Sequence, residues 1–137
     1  MSVEVTAVVS LRWEIWKSLL TMLRSYSALA GLNDGVAIKM DPPNGEQFDS
    51  VFFESRHVKL VLSFQPGSGN GTWTLREREG KVERGSLKKL GFARLGTFVM
   101  VEDGSLFMNQ EFVELDMLAI DLVKKVVSFE HAVEGWE

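Results

Sequence analysis

The sequence predicts an α+β domain: an antiparallel meander sheet of about five to seven strands, bracketed by an N-terminal helix and a long C-terminal amphipathic helix. Three observations carry this expectation. Val58, Leu60, Leu62 and Phe64 alternate with Lys59, Val61, Ser63 and Gln65, the period of a strand with one apolar face. Pro66-Gly67-Ser68-Gly69-Asn70-Gly71 then supplies turn chemistry, and the alternation resumes with Trp73 and Leu75. Finally, two stretches, 11–30 and 110–131, repeat apolar residues at spacings of three and four.

The elements follow in order. Val3, Val5, Ala7 and Val9 alternate, which suits either a short strand or the start of a helix. Ser10 is placed to cap the helix that follows. Within 11–30, Trp13, Trp16, Leu20 and Leu23 form one stripe, with Ile15, Leu19, Met22, Tyr26 and Leu29 beside it. Gly31 reads as the residue that stops this helix. Val36, Ile38 and Met40 form a short strand ended by Asp41-Pro42-Pro43-Asn44-Gly45. Residues 48–55 make another strand, and 54–57 is a tight turn or a bend. In the central meander, Phe64 is set opposite Trp73 and Leu62 opposite Leu75. Gly80-Lys81 reads as a two-residue hairpin turn. That register pairs Arg78 with Glu83 and Glu77 with Arg84, and leaves Lys59 opposite Arg78 as a small basic patch with Arg56 and His57. Residues 87–96 connect to a hairpin, 98–108, turned at Asp103-Gly104. Asn109 is placed to cap the last helix, whose stripe contains Phe112, Leu115, Ala119, Leu122, Val126, Phe129 and Val133.

If residues 3–9 are a strand, the element order resembles a helix-grip layout, in which a curved sheet wraps a long C-terminal helix. The hairpin before the last helix departs from that pattern.

Residues 1–137 form a single domain, since no linker, repeat or low-complexity tract divides them. The net charge of −4 opposes nucleic acid as the main partner, because phosphate binding needs clustered cations. With no cysteine, the chain has no disulfide, thiolate metal site or cysteine nucleophile, which fits a cytoplasmic protein. Arg12, Glu14, Lys17 and Arg24 interrupt the apolar N-terminal stretch, so neither a signal segment nor a membrane span is expected.

Little here points to chemistry. His57 and His131 are the only histidines, and no metal-ligand spacing joins them, so no metal and no cofactor is expected. His57 near Glu54 could form an acid–base pair. The simpler reading is a surface histidine at a strand end. The glycine-rich 67–71 stretch precedes a strand rather than a helix, so it lacks the geometry of a phosphate loop. Glu77 and Glu79 near an apolar wall read as structural ion-pair partners.

Two sets of residues point to binding. Trp13, Trp16 and Trp73 could line a pocket for a small apolar or anionic ligand, with Arg76, Arg78 or His57 meeting an acid group. The hairpin 98–108 is apolar on both faces, with Phe98, Met100 and Phe107 assigned to one of them. Antiparallel sheets normally keep one wet side. The expectation is therefore a non-catalytic interaction domain, most simply a homodimer burying Phe98, Met100 and Phe107. A small-molecule carrier is the alternative, and an enzyme using His57 with Glu54 or Arg56 ranks last.

Overall fold

A computed structural model of the chain describes residues 3–136. Helix α1 spans Val3–Asn33 and α3 spans Leu115–Trp136. Between them run β1 (Lys39–Asp41), β2 (Ser50–Glu54), β3 (Val58–Gln65), β4 (Asn70–Glu77), the short helix α2 (Ser86–Lys89), β5 (Leu95–Met100), β6 (Leu106–Met108) and β7 (Glu111–Val113). The seven strands form one antiparallel sheet in sequence order, so the fold is α+β with a simple meander.

Residues 3–9 are helical and belong to α1, which removes the premise of the helix-grip resemblance. Ser10 and Gly31 both lie inside the helix rather than at its ends. The stop comes at Gly35, whose φ of 68° suits glycine, with the Val36 amide reaching back to the Ala30 carbonyl at 3.3 Å. The buried stripe of α1 is Trp16, Leu19, Leu20, Leu23 and Ala30. That of α3 is Leu118, Ala119, Leu122, Val126, Phe129 and Val133.

Both stripes join one core with the inward residues of the sheet: Val51 and Phe53, Val58, Leu60, Leu62 and Phe64, Trp73 and Leu75, Phe98 and Met100, and Leu106. Trp16 stacks on Phe64 at 5.4 Å between centroids, and Phe64 on Phe98 at 6.1 Å. Phe92 meets Phe129 edge-on at 5.4 Å. The Trp16 indole N–H also donates to the Phe48 carbonyl at 2.8 Å, so the largest core side chain is satisfied as well as buried.

Several local expectations are corrected. The β3–β4 register is shifted by two residues: Phe64 lies opposite Gly71, Leu62 opposite Trp73 and Leu60 opposite Leu75. A shift of two keeps every side chain on its face, so the pattern alone could not exclude it. No hairpin forms at Gly80-Lys81. Residues 78–94 instead cross to β5, which pairs with β4. The Glu77 carboxylate accepts the amides of Gly85 (2.9 Å) and Leu87 (2.7 Å), not an ion pair with Arg84. Arg78 pairs with Glu54 at 3.1 Å and not with Glu83. Lys59 lies between Glu54 and Arg76, so the basic patch around Arg78 is not assembled as expected. Asn109 and Gln110 take positive φ (52° and 66°) and turn the chain into β7, which displaces the start of α3 to Leu115.

The 66–71 turn is shaped by a guanidinium. Arg12 is only 7 % exposed. Its Nε donates to Met100 O at 3.0 Å, and Nη1 donates to Pro66 O and Gly67 O at 3.2 Å each. The loop therefore offers carbonyls to a cation, the opposite polarity from a phosphate loop. Gly69, at φ 80°, closes the cradle, and a Cβ there would run into the Met100 carbonyl and the Arg12 guanidinium. Gly69→Ala is expected to lower stability by about 1–3 kcal/mol, measured as a fall in the urea midpoint without a change in slope.

Candidate functional site

Two places merit functional attention. The first is the outward face of the sheet. Pairing places its side chains in cross-strand rows. Lys39, Glu54, Lys59 and Arg76 make a charged row. Phe52, Val61, Thr74 and Leu95 make an apolar row, and Ser50, Ser63, Thr72 and Thr97 a hydroxyl row. Gln65, Asn70, Val99, Phe107 and Phe112 make the last. Both long helices lie on the opposite side, with the buried residues. Leu95 and Phe112 are each 62 % exposed and Val99 39 %, and Phe107 meets Phe112 edge-on at 6.1 Å.

This arrangement corrects the expected interface. Phe98 (1 % exposed) and Met100 (0 %) face the core, so neither is available to a second chain. Val99 pairs with Phe107, which puts Phe107 on the other face from Phe98 and Met100. Strand β5 is thus two-faced as the composition implied, with its faces allotted differently. Phe112, read from the sequence as a core position of the last helix, instead stands on the outer face of β7.

The second place is buried. His57 is 3 % exposed and its expected partner Glu54 belongs to Arg78. Its actual acid is Glu130 of α3, 4 % exposed. The His57 backbone N–H donates to Glu130 Oε2 at 2.8 Å, and Nδ1 sits 2.5 Å from Oε1. The Ser55 hydroxyl donates to Oε2 at 2.5 Å. The 54–57 segment is a tight turn, closed by the Ser55 amide on the Val58 carbonyl at 2.9 Å. The surface-histidine reading of His57 is therefore replaced by a buried cluster that pins α3 to this turn. Burial acts to raise the pKa of Glu130, but the bonds from Ser55 and His57 outweigh it and hold the carboxyl below its usual range. Sequence reasoning missed Glu130. The signal was present: it falls on the apolar stripe of α3, four residues after Val126 and three before Val133.

A cleft of about 420 Å³ lies beside the cluster, lined by Val36, Lys39, Glu54, Arg56, Arg78 and Glu134 among others. Ser55 and Glu130 of the cluster also line it, and His57 does not. Arg78 is held over the turn by the carbonyls of Ser55 (2.8 Å) and Arg56 (3.3 Å). The bonds of the cluster tie the turn and the helix to each other.

The pocket set read from the sequence is not brought together. Trp16 and Trp73 are core residues, Trp73 lying under the Lys125 ammonium at 4.8 Å, while Trp13 is only partly buried. Arg76 stands on the outer face, and Arg78 and His57 are engaged as described. His131 meets the Asp34 carbonyl at 3.0 Å. Among the described residues, no group of three or more His, Asp or Glu could hold a metal ion, and no helix is long and apolar enough to cross a membrane.

Comparison with known proteins adds no relative. No family model, curated protein or solved structure matches this chain.

Proposed function

We propose that this protein is a non-catalytic interaction domain that self-associates through the outer face of its sheet. The observation that carries the reading is the one-sided placement of the helices: they cover Phe98 and Met100, and leave Leu95, Val99, Phe107 and Phe112 on the face without a helix. Large apolar side chains left without a covering element in this way favour association. A second copy is the occupant that best suits the chemistry. A two-fold axis would set the same outer face of each copy against the other, so that its open apolar side chains are buried by their own equivalents. A cytoplasmic setting, suggested by the cysteine-free composition, would not alter this chemistry.

Sedimentation at micromolar concentration tests the reading. The expected species has twice the 15.4 kDa protomer mass. Phe112→Glu, at an exposed position, is expected to give a folded protomer by placing a charge in the desolvated contact. A native protein that sediments as a protomer at every concentration would overturn the proposal.

A further inference from the structure

We propose that a cleft beside the first turns of α1, built on Arg12, binds a small apolar α-amino acid. The cleft measures about 230 Å³ and is lined by Val5, Val8, Val9, Arg12, Gly67 and Glu102. At about 30 Å³ per water in the liquid, it holds a molecule of about eight non-hydrogen atoms.

The guanidinium is the unusual feature. Arg12 is more than nine-tenths buried, yet every acceptor it meets is a backbone carbonyl. Among the described residues no carboxylate lies within ion-pair distance of it. Among the described residues the acceptors of this side chain are met by Nε and Nη1 and none by Nη2, and Arg12 lines the cleft. A buried charge without a counter-charge is costly, and a carboxylate entering this cleft would offset that cost. The fork geometry of a guanidinium matches a carboxylate better than any neutral group.

Glu102 decides the rest of the ligand. It lies in the turn after β5, exposed, with no ion-pair partner among the described residues. A simple anion held at Arg12 would be repelled by Glu102. A zwitterion satisfies both, its carboxylate towards Arg12 and its ammonium towards Glu102. The valines at positions 5, 8 and 9 give the apolar wall on which a short aliphatic side chain would rest. Gly69 leaves room for the guanidinium, since a Cβ there would stand 3.0 Å from its Cζ and Nε.

The test is a titration of the full chain, followed by amide chemical shifts, with three probes of one shape: valine, isovalerate and isobutylamine. Valine is expected to produce saturable shifts at the backbone of Val9, Arg12 and Gly67 in the millimolar range. Isovalerate should bind roughly tenfold more weakly and isobutylamine not at all. Glu102→Gln changes an exposed rim residue and leaves the fold alone. It should reduce valine to the level of isovalerate and leave isovalerate no weaker. Arg12→Lys keeps the charge but loses the fork, and should weaken valine several-fold. An Arg12 that serves only to tie α1 to the 66–71 turn would give no saturable shift with any probe. That result overturns the proposal, as does equal binding of valine and isovalerate, or valine binding unchanged in Glu102→Gln. Should the Arg12 variant fail to fold, the Glu102 variant and the three probes decide the matter.

Discussion

Glu130→Leu is expected to lower stability by about 3–5 kcal/mol, the range for breaking a buried, hydrogen-bonded charged network by removing one partner. The Ser55 hydroxyl and the His57 amide both converge on Oε2, and both would be stranded away from water. Glu130→Gln should cost less, about 1–2 kcal/mol. Its carbonyl can take the place of Oε2, and its amide can face His57 Nδ1, which accepts in one tautomer. The pair of variants separates geometry from charge. Because the native carboxyl is held below its usual value of 4.5, its stabilising contribution is full above that value. It is lost as pH falls through the lower, folded-state value. Urea midpoints measured from neutral to acid pH should therefore show the native protein and Glu130→Gln converging below about pH 4.5. Two curves that stay parallel into acid would show that the charge of Glu130 does not contribute.

Phe64→Ala is the second large expected loss, about 3–5 kcal/mol, the cost of removing a buried aromatic ring and leaving a cavity. Phe64 is 1 % exposed and stacks between Trp16 of α1 and Phe98 of β5, so a single ring couples the first helix to two strands. Gly71, directly opposite, has no side chain to fill the hole; Phe98 lies where its Cβ would be. Thermal unfolding with matched far-ultraviolet and tryptophan signals measures the loss, since Trp16 reports on the same stack. A loss below about 1 kcal/mol would mean that Trp16 and Phe98 close over the gap.

Much of this fold is legible in the sequence, because period-two and period-3.6 patterns are separated by glycine and proline. The α3 stripe and the inward faces of β3 and β4 follow directly from spacing. Errors arise where two arrangements satisfy one pattern. The β3–β4 register could slip by two without moving any residue to the other face. The string of alternating charges around Gly80 fits an ion-paired hairpin, but Glu77 gains more from two helix-start amides and Arg78 from Glu54. Phe112 continues a helical stripe on paper, yet Asn109 and Gln110 turn the chain into a strand first. The site residues were harder to read. His57 and Glu130 are 73 positions apart, and no local spacing connects them.

The two ends of the meander are stubs of three residues each, Lys39–Asp41 on one side and Glu111–Val113 on the other. Such short margins offer an incoming strand few free amides and carbonyls to zip onto. Chains that meet flat side to flat side use up their sticky surface in a single event. The architecture therefore allows a closed pair while discouraging filaments, so a domain with an open sheet can remain finite in size at high concentration.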